Sequence, residues 1–215
     1  MKKTLFALAC TLVASLAIGC GGNVVGGSGG DGGGTSTAGA GGSSTTTTST
    51  SSIPEACVVE TNLTAPYSVT FQFTVSTPGT SLFLAENCYT EFSISSCDDG
   101  YSASLAISGD CTVDCSEMNG CVECGACPQF GIEVTSAKPS ESTWAGHTYT
   151  FGQTSVGCEC HNEFNAHAGK YRITVPVYPT EQDAIDHTNG VPHAVDFDLP
   201  APNGIVNVPL DIGLD

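Results

Sequence analysis

Between Cys111 and Cys127 the chain carries five cysteines in seventeen positions, spaced C-x3-C-x5-C-x2-C-x2-C. Five more, Cys57, Cys88, Cys97, Cys158 and Cys160, stand on either side of that run. Such sulfur density is a metal site, an electron carrier or a set of cross-links, and the compartment decides between them. In a reducing cytosol C-x2-C-x2-C points to zinc or iron–sulfur, whereas outside it thiolates oxidise in pairs. Haem attachment is excluded: Cys124-Gly125-Ala126-Cys127 is followed by Pro128, and Cys158-Glu159-Cys160-His161 has one spacer too few for C-x-x-C-H.

The first twenty residues speak for export. Lys2 and Lys3 precede an apolar stretch from Leu5 to Ile18. It is shorter than the roughly 20 residues of a membrane span but suits a secretory signal. It ends in Leu16-Ala17-Ile18-Gly19-Cys20, which resembles a bacterial lipobox, with Ala17 where Leu is usual. The resemblance implies cleavage before Cys20 and acylation of that cysteine, as with palmitate. Gly21 rather than Asp follows it, which by the rule of related lipoproteins favours the outer membrane. The expected address is therefore the cell envelope, with the domain on the periplasmic side or at the surface. With export, the ten cysteines from Cys57 to Cys160 are expected to form five disulfides, and roughly 945 pairings remain open.

Residues 21–52 contain only Gly, Ser, Thr, Ala, two valines, one Asn and one Asp. Such a segment cannot bury enough surface to offset its ordering entropy, so it reads as a disordered tether with an r.m.s. span of roughly 30 Å. Residues 53–215 remain as one folding domain. Past Cys20 the chain holds 22 acidic residues against Lys138, Lys170 and Arg172, a formal charge of −19. That balance excludes nucleic acid and anionic head groups as partners.

Within 53–215 period-two alternation dominates. Val69, Phe71, Phe73 and Val75 share one face, as do Tyr171, Ile173, Val175 and Val177. Strands are also expected over 88–94, 101–107, 130–134, 195–199 and 206–210, with shorter pieces near Cys57, Leu82 and Trp144. Pro176, lacking an N–H, marks an exposed edge. One short helix is expected from Thr180 to His187, ended by Asn189-Gly190. About ten strands predict an all-β protein, an antiparallel β-sandwich from which the cysteine-rich loop projects.

Residues 144–178, with Gly169-Lys170-Tyr171 leading into alternating aliphatics, are similar to the closing part of immunoglobulin-like domains in cysteine-rich bacterial lipoproteins. The resemblance implies an immunoglobulin-like sandwich and an envelope address, and carries no active site.

Cys158, Cys160, His161 and His167 form the alternative reading, a set with donors for copper or zinc. Against it, each sulfur of Cys-x-Cys is expected to find a different disulfide partner, because neighbouring strand residues face opposite ways, and the two histidines to flank an exposed polar turn. No catalytic frame is legible around His147, His161, His167, His187 or His193. The expectation is a lipid-anchored, non-catalytic binding or structural module without cofactor, meeting a protein or glycan in the envelope. A metal-binding protein and, more weakly, a hydrolase are the alternatives.

Overall fold

The computed structural model describes residues 54–117 and 120–211. The signal segment, Cys20 and the tether to Ser52 lie outside these residues. Twelve strands follow in order: β1 (Val69–Thr74), β2 (Ser81–Asn87), β3 (Tyr89–Thr90), β4 (Ser93–Ser96), β5 (Val113–Asp114), β6 (Gln129–Thr135), β7 (Ser140–Trp144), β8 (His147–Gln153), β9 (Glu159–Asn165), β10 (Gly169–Tyr178), β11 (Val191–Leu199) and β12 (Ile205–Pro209). Among the described residues the one α-helix, α1 (Glu181–Asp186), sits between β10 and β11.

Two sheets form a β-sandwich. One has the order β12-β1-β7. The other is built on β10, which pairs β11 along one side and β4 and then β2 along the other; β2 continues to β6. Alternation explains why they face each other. Val69, Phe71 and Phe73 of β1 and Tyr171, Ile173, Val175 and Val177 of β10 are all buried in one apolar cluster, while Thr70, Gln72 and Thr74 stay outside it. Phe71 meets Phe197 of the opposite sheet and Phe92, in the connection between β3 and β4, edge-to-face, each at 5.3 Å between ring centroids.

Several expectations are corrected. Pro176 does not mark an exposed edge, since β10 is the central strand. It falls in the gap where the neighbour changes from β4, paired up to Thr174, to β2, paired from Val177, so no ladder donor is required of it. The segment 101–107 is not a strand. Asp99 accepts bonds from the Ser102 and Ala103 amides and the Ser102 hydroxyl, and this local turn outcompetes a ladder. Leu105 and Ile107 still pack on the core. The run 88–94 is split at Glu91–Phe92 into β3, which pairs β2, and β4, which pairs β10, while left-handed Cys88 (φ 60°) makes the turn from β2 into β3. Near Cys57 there is a 3-10 turn rather than a strand. The sandwich also includes one parallel pair, β1 with β12. Helix α1 is capped by Thr180, which accepts from the Asp183 amide at 3.1 Å, and it ends at left-handed His187, before Asn189-Gly190.

The third sheet, β5-β9-β8, is an arm that alternation did not reveal. Most of β8 and β9 is exposed on both faces. At its root Trp144 donates its indole N–H to the His147 carbonyl at 2.8 Å. Gly146 makes the turn with φ 79°, and a β-carbon there would collide with the Tyr67 backbone. Gly146→Ala is therefore expected to cost about 1–3 kcal/mol, from left-handed strain and displaced backbone. A urea unfolding midpoint measures it; an unchanged midpoint would mean that residues 65–68 yield freely. At the same root, where the chain leaves β9 beside Gly146, the Tyr171 hydroxyl donates to the His167 carbonyl at 2.9 Å and closes the corner into β10.

Candidate functional site

The ten cysteines make five disulfides: Cys57–Cys97, Cys88–Cys127, Cys111–Cys124, Cys115–Cys160 and Cys121–Cys158. Their Cα separations of 4.9–5.4 Å are within the range a disulfide spans. Cys158 and Cys160 do go to different partners. The reason differs from the expected one: they are two residues apart, both buried on either side of exposed Glu159, and so lie on the same face. That face is covered by the loop bearing Cys115 and Cys121, which staples the arm to the rest of the cysteine-rich segment.

His161 and His167 do not flank one exposed turn. His161 lies within β9, half-buried, with Nδ1 at 2.7 Å from the Thr112 hydroxyl and its ring edge-to-face with Tyr149. Thr112 gives its proton to the Gly109 carbonyl, which leaves its oxygen to accept from His161. Gly109 is required there, because a β-carbon would come within 2.9–3.0 Å of both rings. His167 lies at the corner before β10, with Nε2 2.9 Å from an Asp98 carboxylate oxygen. Cys158, Cys160, His161 and His167 therefore have separate partners. Among the described residues no three His, Cys, Asp or Glu side chains gather as a metal-holding group.

A cleft of about 410 Å³ opens between the turn at residues 87–92, the loop at 107–110 and the β7–β8 junction. Its aromatic lining is Tyr89, Phe92, Trp144 and Tyr149, and its charged lining is Glu91 and Asp110. Tyr89 is 63 % exposed, whereas Trp144 is 3 % exposed and forms the floor. No Lys, Arg or His lines it. Asp110 accepts from the Ser108 hydroxyl at 2.5 Å, and Glu91 is met from outside the lining by His187 at 3.4 Å. The Tyr149 hydroxyl donates to Glu163 at 3.0 Å; burial first, then Glu163 and Asp110, push its pKa up.

Both rims of this cleft end in a left-handed cysteine. Cys88 (φ 60°) adjoins Tyr89, and Cys111 (φ 65°) adjoins Asp110. Their partners, Cys127 and Cys124, belong to one short segment. The cysteine-rich loop thus ties both sides of the opening to a common strap. Sequence reasoning missed the cleft because its walls come from three distant segments; the adjacency of Cys88 to Tyr89 and of Asp110 to Cys111 was the one available signal.

Elsewhere on the surface, Arg172 forks onto Asp196 at 2.6 and 3.1 Å and lies 4.2 Å above the Tyr101 ring. The hydrogen bond from Arg172 holds the Asp196 carboxyl below the usual range. Being exposed, the pair contributes little to stability. No protein-family model, curated protein or solved structure matches this chain.

Proposed function

We propose that the chain is a lipid-anchored protein of the cell envelope, held by acylated Cys20 and sorted to the outer membrane. Its domain acts there as a non-catalytic binding or structural module. The observation that carries this reading is the complete pairing of the ten cysteines from Cys57 to Cys160. Disulfides persist where thiols are not kept reduced, and a signal ending at a lipobox-like cysteine delivers a chain to such a place. Residues 21–52, rich in Gly, Ser and Thr, are the spacer between that anchor and the domain in this reading. The buried Tyr171 corner and the Trp144 ring packed 5.8 Å from it support the immunoglobulin-like resemblance.

Membrane fractions prepared without reductant test the reading. The wild-type chain is expected in the envelope pellet, carrying acyl mass on Cys20 and near-zero free thiols before and after chelation. Cys20→Ser is expected in the soluble exported fraction. An unacylated cytosolic chain, or thiols that appear only when a chelator is added, would reject it in favour of metal binding. Capture of envelope components on the anchored chain, with the empty membrane as control, separates a binding module from a structural one.

A further inference from the structure

The cleft beside the cysteine-rich loop has walls that restrict what can enter it. Glu91 and Asp110 place two carboxylates at one opening without a basic lining residue. An anionic ligand would meet repulsion from both, and the formal −19 charge past Cys20 would add to it. An exposed tyrosine ring beside carboxylates attracts a cation twice, through its negative face and through the counter-charge. Two wider hollows offer less. The one at Phe151, about 750 Å³, shares Asp110 and adds Glu159 but has a single ring and no tyrosine; the one at Tyr101, about 510 Å³, already contains Lys170 beside Asp196 and Asp198.

The rims are also held in place. Each ends in a non-glycine residue in the left-handed region, and both of these cysteines are bonded to the same Cys124–Cys127 segment. Strained backbone of this kind persists where the surroundings over-determine it, and it clusters at ligand sites. A cleft fixed before binding loses less entropy when it is filled.

We propose that this cleft binds an ammonium group, carried by a free polyamine or by a lysine side chain of a polypeptide. The rings of Tyr89 and Tyr149 would receive it, with Glu91 and Asp110 as counter-charges. The assignment rests on the binding-module reading of the domain and names its ligand chemistry.

The test uses the full acylated chain in a non-ionic detergent, titrated calorimetrically with spermidine, with a lysine-rich peptide and with a neutral oligosaccharide. Trp144, the only tryptophan in the chain, reports occupancy of the cleft through its emission. Saturable binding of spermidine or peptide is expected, roughly tenfold weaker at about 500 mM than at about 20 mM salt. Glu91→Gln and Asp110→Asn are each expected to weaken it about five- to tenfold, and Tyr89→Ala about two- to fivefold. Glu133→Gln, a carboxylate on β6 outside the cleft, should leave it unchanged. Tighter binding of the peptide assigns the ammonium to a polypeptide, and equal binding to a free polyamine. Salt-insensitive binding of the oligosaccharide alone overturns the ammonium assignment while leaving a binding module. Absence of saturable heat with all three overturns the site itself, and the envelope capture described above then decides the module separately.

Discussion

Phe71→Ala is expected to destabilise the domain by about 3–5 kcal/mol, the largest effect of any single substitution considered. Phe71 is fully buried on β1, and its ring touches Phe197 from the other sheet and Phe92 from the β3–β4 connection. Removing it forfeits the transfer of a phenyl ring and leaves a cavity between two sheets, whose hydrogen-bonded ladders resist collapse into the space. Edge-to-face contact with two rings adds about 0.5–1.5 kcal/mol per pair. Phe151→Ala is the matched comparison: Phe151 is 57 % exposed on the arm, and its loss should stay within about 0.5 kcal/mol. Urea unfolding of both variants with disulfides intact measures the difference. Equal midpoints would mean that the two sheets are not held together by the Phe71 cluster.

The second large effect concerns the arm. β8 and β9 expose most of their side chains and cannot bury enough apolar surface to order themselves alone. Cys115–Cys160 and Cys121–Cys158 close stretches of 45 and 37 residues and attach β9 to the cysteine-rich loop. Each is worth roughly 2–4 kcal/mol in restricted chain entropy. A variant with all four cysteines replaced by serine should therefore keep its sandwich while the arm opens locally. Amides of β9 are expected to exchange about 30- to 900-fold faster per staple lost, which is the same energy expressed as a rate. Amides of β10 at Ile173 and Val175, in the centre of the sandwich, should slow the exchange front and change far less. Uniform acceleration across both strands would show that the staples support the whole domain and not the arm alone.

Alternation made the core legible. Val69, Phe71 and Phe73, then Tyr171, Ile173, Val175 and Val177, then Val206 and Val208 all lie where a period of two puts them. Each face is set by the pleat of its own strand, which needs no knowledge of a partner. Where short-range polar bonds competed, the same reading failed. Asp99 takes the amides that a strand at 101–107 would have used, and the run 88–94 splits at Glu91–Phe92, where its partner changes from β2 to β10. The β8–β9 arm was missed for the opposite reason: ECHNEFN has no alternating apolar face, and Tyr149 and Phe151, the two alternating aromatics of HTYTFGQ, do not lie on the core.

By itself the sequence determined the all-β class, the buried faces, the even set of ten cysteines and the acidic balance, because each depends on neighbours in the chain or on a sum over it. Tertiary structure alone decided the five pairings, the central place of β10 and the cleft beneath Tyr89. Those depend on which distant loops meet: Cys88 and Cys111 reach the same short segment only after two sheets have packed and brought the ends of β2 and of the 101–110 loop to one side. Closure of that kind is a property of the folded chain, and no local spacing encodes it.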